Sequence, residues 1–298
     1  MIVTRTVADT RAVLTQLPRP LGFVPTMGAL HAGHLELVRQ ARASSQAVVA
    51  SIFVNPTQFG PREDFAAYPR DEARDLQLLE REGVAIVFAP AADELYADGF
   101  STQVDVHGIS DRFEGAERPV HFGGVALVVT KLLNIVRPDA AYFGQKDAQQ
   151  LAVVRRLVRD LNQPVEIVGV PTVREKDGLA LSSRNAYLTP AERAVAPNLY
   201  LALRAGAAAA AKPGGTYKDA IIAATLRLTT SDHDAPAAGE APEFAIDYLA
   251  VVDADSFNHT QAIGPRTLLI AAVRLGSTRL LDNVFLSPSA HLTQGATV

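Results

Sequence analysis

The sequence predicts an α/β protein in which a Rossmann-like, doubly wound parallel sheet is followed by a smaller α+β domain. Short apolar runs alternate with helical patterns over roughly the first 170 residues, which is typical of a parallel sheet covered by helices on both faces. After about residue 172 this alternation stops, and alanine-rich helices precede three strand-like runs. Hydrophobic residues make up 48% of the 298 residues, so each domain can bury a core. We therefore expect one domain over residues 1–172 and a second over 173–298.

The strands of the first domain are predicted from short apolar runs. Strands of a parallel sheet are buried on both faces, so they are expected as continuous apolar runs rather than alternating ones. The runs that fit this description are residues 21–25, 47–55, 84–90, 140–144 and 165–171.

The helices between these strands follow from the spacing of apolar residues. In the segment 34–44, Leu35, Val38 and Ala41 recur at helical spacing. Further helices are predicted over residues 71–83, 124–138 and 147–161. Ligands of such a sheet bind beyond the carboxyl ends of the strands, near the point where the strand order reverses.

The second domain begins with clear helix-start signals. Thr189, Pro190 and Glu192 form a capping-box sequence, and another helix is predicted over residues 217–228. Strands of a small antiparallel sheet are expected at residues 244–253, 267–276 and 278–286. Polar and small residues predict a mobile loop and a disordered tail, at residues 229–242 and 287–298.

The composition excludes several classes of protein. Because the chain has no cysteine, disulfides, thiolate metal sites and thiol nucleophiles are excluded. The net charge of −4 argues against broad nucleic-acid binding, although a local basic pocket is compatible with it. The chain lacks an apolar run of about eighteen residues, and its first residues lack a basic start before an apolar core. We therefore expect a cytoplasmic protein with neither a membrane span nor a signal peptide.

The segment PTMGALHAGH (25–34) joins the first of these predicted strands to the helix after it. A helix N-terminus offers unpaired N–H groups and a positive dipole, which suit a phosphate. Gly28 and Gly33 permit close approach, while His31 and His34 share one face of a helical turn. The segment therefore predicts a phosphate-binding turn. The alternatives are an ordinary capped turn and a zinc site, which would need further ligands.

Two later segments carry related chemistry. FGQKDAQQL (143–151) again joins a strand end to a helix start, and its Lys146 is one of only five lysines among 28 basic residues. LALSSRN (179–185) places two hydroxyls and an arginine in a short polar patch near the domain boundary. The alternatives are that Asp147 is a helix N-cap paired with Gln150, and that the serine segment is a solvated turn.

Together these segments resemble the HIGH and KMSKS elements of a nucleotidyltransferase superfamily whose members attack the α-phosphate of ATP. The resemblance is closer to one family, the pantoate–β-alanine ligases or pantothenate synthetases. It extends from about residue 20 to 285 and rests on five ordered segments: PTMGALHAGH, VNPTQFGPREDFAAYPRD, RPVHFGGV, FGQKDAQQL and REKDGLALSSRN.

The resemblance implies an enzyme that condenses (R)-pantoate with β-alanine through a pantoyl adenylate, using ATP and Mg²⁺ and releasing AMP and pyrophosphate. The residues implied as catalytic are His31, His34, Lys146 and Arg184. Those implied to bind ATP are Pro25, Met27, Gly28, Ala29, Leu30, His31, Ala32, Gly33, His34, Gly144, Gln145, Lys146, Asp147, Val173, Leu181, Ser182, Ser183 and Arg184. Pantoate and β-alanine contacts are implied for Gln58 and Gln150, and a metal contact for Asp75, for which the alternative is an ordinary acidic residue at a helix N-terminus. The resemblance also implies a homodimer with small-molecule substrates and without a nucleic-acid or membrane partner.

Two other functions stay open at this point. A nucleotidyltransferase acting on a phosphorylated acceptor would share the histidine and serine segments, but it has no need of Gln58 and Gln150. A nucleotide-binding scaffold without catalysis is disfavoured because the residues implied as catalytic are all present. Val120 stands where the family pattern leads us to expect glycine, and it predicts a stiffer segment before the helix over 124–138.

Overall fold

A computed structural model of the chain describes residues 1–61, 63–230 and 242–287. Contacts between Cα atoms divide the chain into two compact units. The first contains Met1–Gln145 and Gln149–Val170, and the second contains Lys146–Ala148 and the chain from Pro171 onward. The predicted mobile loop and disordered tail fall mainly on residues 231–241 and 288–298, which lie outside the described residues.

The first unit is a six-stranded parallel sheet with helices. In chain order its elements are β1 (Ile2–Thr4), α1 (Val7–Leu14), β2 (Leu21–Thr26), α2 (Ala32–Ser44), β3 (Ala47–Ile52), α3 (Glu72–Arg81), β4 (Ile86–Phe88), α4 (Ala92–Leu95), α5 (Glu114–Glu117), α6 (His121–Val136), β5 (Ala140–Gly144), α7 (Ala148–Asp160) and β6 (Glu166–Val170). Short 3₁₀ turns cover Pro56–Gln58, Ile109–Asp111 and Gln145–Asp147. The strand order is β1-β4-β3-β2-β5-β6, which confirms the predicted doubly wound fold.

The core of this unit lies along the central strands. Phe23 of β2 pairs with Val49 of β3 on one side and with Ala141 of β5 on the other, and all three side chains have 0% exposure. Burial on both faces explains why these strands are continuous apolar runs. The predicted runs 21–25, 47–55, 84–90, 140–144 and 165–171 each contain or overlap an observed strand.

The first strand and helix of the chain have no counterpart among the predicted elements. β1 pairs in parallel with β4 at one edge of the sheet, with Ile2 opposite Ile86. The side chains of Ile2 and Val3 are exposed. Three residues at a sheet edge do not produce the buried apolar run that identifies the other strands.

The second unit, over its described residues 171–230 and 242–287, contains three helices and a small antiparallel sheet. A 3₁₀ turn at Ser183–Tyr187 precedes α8 (Pro190–Val195), α9 (Asn198–Ala210), α10 (Tyr217–Thr229), β7 (Phe244–Asp253), β8 (Thr267–Leu275) and β9 (Thr278–Phe285). The predicted capping box is present, because Thr189 Oγ1 accepts from the Glu192 N–H at 3.3 Å and Glu192 Oε2 accepts from the Thr189 N–H at 2.8 Å. The sheet order β7-β8-β9 confirms the predicted strands. Within the described ranges, no helix is long and apolar enough to cross a lipid bilayer.

Candidate active site

The predicted phosphate-binding turn lies where the strand order of the parallel sheet reverses. β2 is flanked by β3 on one side and β5 on the other, so the carboxyl ends of β2 and β5 adjoin at the switch point. Doubly wound sheets bind their ligands at this position. A Cβ atom at Gly144, the last residue of β5, would meet no atom of the described structure within 4 Å, so space beside this strand end is open.

His31 and His34 form the start of α2. His31 is the N-cap, and its Nδ1 accepts from the Gly33 N–H at 3.1 Å, while His34 Nδ1 accepts from the His31 N–H at 3.4 Å. A ring nitrogen that accepts from an N–H carries no proton, so each neutral ring keeps its proton on Nε2. The ring centroids are 4.1 Å apart, and the two histidines share one face as predicted. The first turn of α2 therefore combines backbone N–H groups with two imidazole donors.

The backbone before α2 is held in an unusual conformation by a carboxylate. Gly28 and Ala29 have φ angles of 81° and 51°, in the left-handed region that favours glycine. The Asp75 carboxylate accepts from the N–H groups of Ala29 at 2.7 Å and Leu30 at 2.8 Å. These hydrogen bonds compensate for the strain at Ala29 and fix the turn that leads to His31.

Asp75 does not fit a magnesium site. Each of its oxygens accepts a backbone N–H, and its side chain is only 1% exposed. Burial is the largest influence on the carboxyl group and raises its pKa above the usual value, against the opposing effect of the hydrogen bonds. In the part of the chain that the structure describes, no group of three or more His, Asp or Glu side chains could hold a metal ion. Asp75 instead holds the backbone of the predicted phosphate-binding turn through these two hydrogen bonds.

Gln58 lies in the buried 3₁₀ turn after β3. Its side chain is 6% exposed, its Nε2 donates to Met27 Sδ at 3.0 Å, and its Oε1 accepts from Asn55 Nδ2 at 3.1 Å. Asn55 also donates to the Gly124 carbonyl at 3.1 Å and accepts from the Tyr96 hydroxyl at 2.8 Å. The structure therefore places Gln58 against Met27 of the predicted phosphate-binding turn. It also identifies Asn55, which the sequence did not single out, as the group that orients Gln58.

Helix α6 packs directly against this turn. His121 Nδ1 lies 3.1 Å from the Gln58 carbonyl oxygen, which can only accept, so Nδ1 carries the proton and donates. A Cβ atom at Gly124 would lie 2.3 Å from the Thr57 carbonyl oxygen, so only glycine allows this approach. Burial is the largest cause that lowers the pKa of His121 to about 4, so the ring is neutral at neutral pH. Val120, just before the helix, has φ −91° and ψ −12°, which a β-branched residue adopts without requiring glycine.

The two adjacent glutamines of α7 have different surroundings. Gln149 is 6% exposed, and its Nε2 donates to the carbonyls of Ile109 at 2.7 Å and Arg112 at 2.8 Å. Its Oε1 accepts from the Glu114 N–H at 3.1 Å. Gln150, the predicted pantoate contact, is half-buried. Gln149 thus holds the segment before α6 against α7, a role for which the sequence offered no signal.

The second unit brings two of the predicted segments together. Lys146 and Asp147 line the same pocket as Ser182 and Arg184, and Arg279 of β9 lies on its wall. Ser182 Oγ accepts from the Arg184 N–H at 3.3 Å and caps the 3₁₀ turn, so the segment is an ordered turn. Lys146, Arg184 and Arg279 bring positive charge to this pocket, and the carboxylates of Asp147 and Asp282 also line it. Lys146 Nζ lies 3.6 Å from Asp147 Oδ1, and Arg279 pairs with Asp247 at 2.6 Å. The basic side chains are the groups suited to an anionic ligand.

Among the other residues predicted to bind ATP, Leu181, Val173 and Gln145 form hydrogen bonds that involve main-chain groups. The N–H of Leu181 donates to the carbonyl of Val173 at 3.0 Å, so these two residues are neighbours in a hairpin, and Val173 is buried. Gln145 Nε2 donates to the Gly169 carbonyl at 3.3 Å, which ties the end of β5 to β6. Pro25 is half-buried near the end of β2.

The fold and these turns define the class of α/β proteins that hold an anionic ligand at a helix N-terminus beyond the ends of parallel strands. The sequence model of the family described as Pantoate-beta-alanine ligase matches residues 2–285. The protein named Pantothenate synthetase in Chloroflexus aggregans is 53% identical over 284 residues, covering 95% of this chain and 99% of that protein. The chain therefore belongs to the pantoate–β-alanine ligase family, as the motifs predict.

Solved structures agree with this assignment. The crystal structure of pantothenate synthetase from Thermus thermophilus matches with a TM-score of 0.89 and 50% identity, over 97% of this chain and 100% of that one. The structure of pantoate-beta-alanine ligase from Francisella tularensis, complexed with beta-gamma ATP and beta-alanine, matches with a TM-score of 0.76 and 30% identity, over 96% and 98% of the two chains.

Proposed function

We propose that the chain is an ATP-dependent ligase that condenses (R)-pantoate with β-alanine to pantothenate. In the first step the pantoate carboxylate attacks the α-phosphate of ATP, forming pantoyl adenylate and releasing pyrophosphate. In the second step the neutral amine of β-alanine attacks the acyl carbon of the adenylate, forming the amide and releasing AMP and a proton. Membership of the family supports this reaction, and so does the structure of the Francisella tularensis relative, which was solved with beta-gamma ATP and beta-alanine.

One observation carries the first step: the paired histidines at the start of α2, at the switch point of the sheet. A carboxylate approaching a phosphate brings two anions together, so catalysis depends on charge stabilisation and positioning. We assign Nε2–H of His34 to the developing charge at the α-phosphate, with His31 beside it. Lys146 and Arg184, which line one pocket, are assigned to the other phosphates. No protein nucleophile is needed, because the substrates supply both nucleophiles.

Gln58 and Gln150 are assigned to pantoate. An amide hydrogen-bonds a hydroxyl or a carboxylate without neutralising it, whereas a lysine or arginine would weaken the nucleophile. Gln58 is buried and oriented by Asn55, so it presents its amide in a fixed direction. The remaining residues predicted to bind ATP are assigned to the nucleotide on the strength of the family motifs.

The metal and the assembly state complete the proposal. Because Asp75 is committed to the phosphate-binding turn, we assign Mg²⁺ to the ATP phosphates rather than to a cage of side chains. A homodimer located in the cytoplasm, without nucleic-acid or membrane partners, is proposed from the family resemblance. The alternative, nucleotide transfer to a phosphorylated acceptor, is disfavoured because the whole-chain match is to the ligase family.

The order of the two steps provides the test. Enzyme, ATP, Mg²⁺ and pantoate are mixed without β-alanine and quenched within one turnover. We expect one pyrophosphate per active site and a bound pantoyl adenylate, and later addition of β-alanine should release AMP and pantothenate. Pyrophosphate that forms only after β-alanine is added would refute the two-step mechanism, and transfer of AMP to a phosphorylated acceptor would favour the alternative.

A further inference from the structure

Two adjacent residues of β9, Asn283 and Asp282, contact the turn that carries Lys146 and the hairpin that precedes the segment 182–184. The proposed function assigns Lys146 and this segment to the ATP phosphates. Both side chains are buried, with 3% and 9% exposure. Asn283 Nδ2 donates to the backbone carbonyl of Lys146 at 2.9 Å. This contact lies within the second unit, to which Lys146–Ala148 belongs although the chain on either side of these three residues belongs to the first. Asn283 therefore fixes the backbone of the turn that carries the lysine.

Asp282 forms a buried ion pair with Arg174, in the hairpin that precedes the serine segment. Its two oxygens accept from the two terminal nitrogens of Arg174 at 2.5 and 2.9 Å. The guanidinium carbon also lies 3.7 Å from the centroid of the Tyr200 ring, which holds the group from a second side. Arg174 pairs with Ala180 across the hairpin that leads directly into Ser182. A bidentate arginine–carboxylate pair fixes the orientation of the two groups as well as their separation. The ion pair therefore fixes the position of this hairpin relative to β9.

We propose that Asp282 and Asn283 are positioning residues that hold Lys146 and the segment 182–184 in one fixed relation for the adenylation step. The inference rests on the proposed function, which places both segments on the ATP phosphates. Because Lys146 and Arg184 line the same pocket, a displacement of either turn changes the separation of the two cations. Reactions that depend on charge placement are sensitive to such shifts, and a misplacement of about 1 Å can cost about 100-fold in rate.

Asn283 provides the sharper test, since Asp282→Asn would leave the buried Arg174 without its carboxylate and threaten folding. Asn283→Ala removes the amide donor to Lys146, and Asn283→Asp keeps the volume but replaces the donor with an acceptor. The matched controls are Asn198→Ala and Asn198→Asp. Asn198 lies in the same unit on α9, where its Oδ1 accepts from Arg227 at 3.2 Å. Folding of each variant is checked from its thermal midpoint and circular dichroism spectrum.

The measured quantity is the single-turnover rate of pyrophosphate release from ATP and pantoate. We expect a slowing of up to about 100-fold in both Asn283 variants, with the pantoate dissociation constant unchanged and both controls at the wild-type rate. A second measurement separates a positioning role from a merely structural one. In it, Asn283→Ala is combined with Lys146→Ala. If Asn283 acts through the lysine, it should cause much less additional slowing once the lysine side chain is absent.

Two results would overturn the inference: a wild-type rate in folded Asn283→Ala or Asn283→Asp, or a full additional loss in the Lys146→Ala background. Failure of the proposed function gives a different result, because wild-type enzyme would then release no pyrophosphate from ATP and pantoate. That outcome also overturns the inference, since it removes the reaction on which the positioning role rests.

Discussion

Gly124→Ala tests whether the contact between α6 and the Gln58 turn controls pantoate binding. Gly124 lies in the first turns of α6, and the carbonyl of the same residue accepts from Asn55, which orients Gln58. One added methyl group therefore displaces the backbone that carries Gln58, the predicted pantoate contact, without altering any residue assigned to a substrate. Gly123→Ala is the matched control, because it makes the same substitution one residue earlier in the same helix.

The structure sets the size of the perturbation. The new Cβ would lie 2.3 Å from the Thr57 carbonyl oxygen and 2.5 Å from the Gln58 nitrogen, whereas real contacts of this kind are at least 3.0 Å. The backbone must therefore shift by about 0.7 Å at Thr57 to relieve the closest contact. Overpacking of this kind costs about 1–3 kcal/mol. At Gly123 the nearest atom to the Cβ would be Asp105 Oδ1 at 3.0 Å, at the end of a side chain that can move aside, and the Val104 carbonyl oxygen would lie at an ordinary contact distance of 4.0 Å.

The two variants should separate this steric effect from helix propensity. Alanine is more favourable than glycine within a helix by about 1 kcal/mol, and both variants gain this term. We expect Gly124→Ala to be about 1–3 kcal/mol less stable than Gly123→Ala in urea unfolding. Its kcat/KM for pantoate should fall by up to about 100-fold, while the KM for ATP changes far less. Wild-type pantoate kinetics in a folded Gly124→Ala enzyme would show that this turn does not position the pantoate site.

His34→Ala should reduce the rate of pyrophosphate formation by a factor corresponding to about 2.7–4 kcal/mol while the protein stays folded, because a preorganised donor is lost; wild-type pyrophosphate release from the folded variant would contradict this role. Gln150→Ala should raise the KM for pantoate far more than the KM for ATP, and equal shifts would favour a helix-capping role instead. The pKa of His121 is about 4 in the folded protein and near 6.5 in the unfolded chain. As the pH falls from 6.5 towards 4, the His121 imidazole therefore takes up a proton in the unfolded chain but stays mostly neutral in the folded protein. The free energy of unfolding should therefore drop by about 3 kcal/mol between pH 7 and pH 4 relative to His121→Gln, and parallel pH profiles for the two proteins would exclude this contribution.

The fold was predictable where burial leaves a local pattern. The run 140–144 coincides with β5, because a central strand covered on both faces must be apolar at every position. The helix predicted over 34–44 begins two residues earlier, at Ala32, because His31 and His34 form its capping box. Histidine is not among the usual N-cap residues, so the sequence carries no ordinary signal for this boundary.

The contacts that organise the candidate site were not predictable, because they join residues distant in sequence. Asp75 binds N–H groups 45 and 46 positions away, and nothing in its own helix indicates this. Gln149 and Gln150 are adjacent and chemically identical, yet only the path of the preceding loop decides which one is enclosed by backbone carbonyls. The carbonyl of Lys146 likewise accepts from Asn283, 137 positions away.

The hydrogen-bond partners of the two buried glutamines differ, and the difference is consistent with the proposal that Gln58 binds substrate while Gln149 holds the scaffold. Gln149 donates to two backbone carbonyls and accepts from a backbone N–H, so displacing it would remove a hydrogen bond from each of three main-chain groups. Gln58 donates instead to the sulfur of Met27, a weak acceptor. A hydroxyl or carboxylate oxygen that takes the place of this sulfur gains a stronger hydrogen bond while Asn55 continues to orient the amide. The amide that can exchange its partner is therefore Gln58, in the 3₁₀ turn after β3, where it contacts Met27 of the histidine-bearing turn.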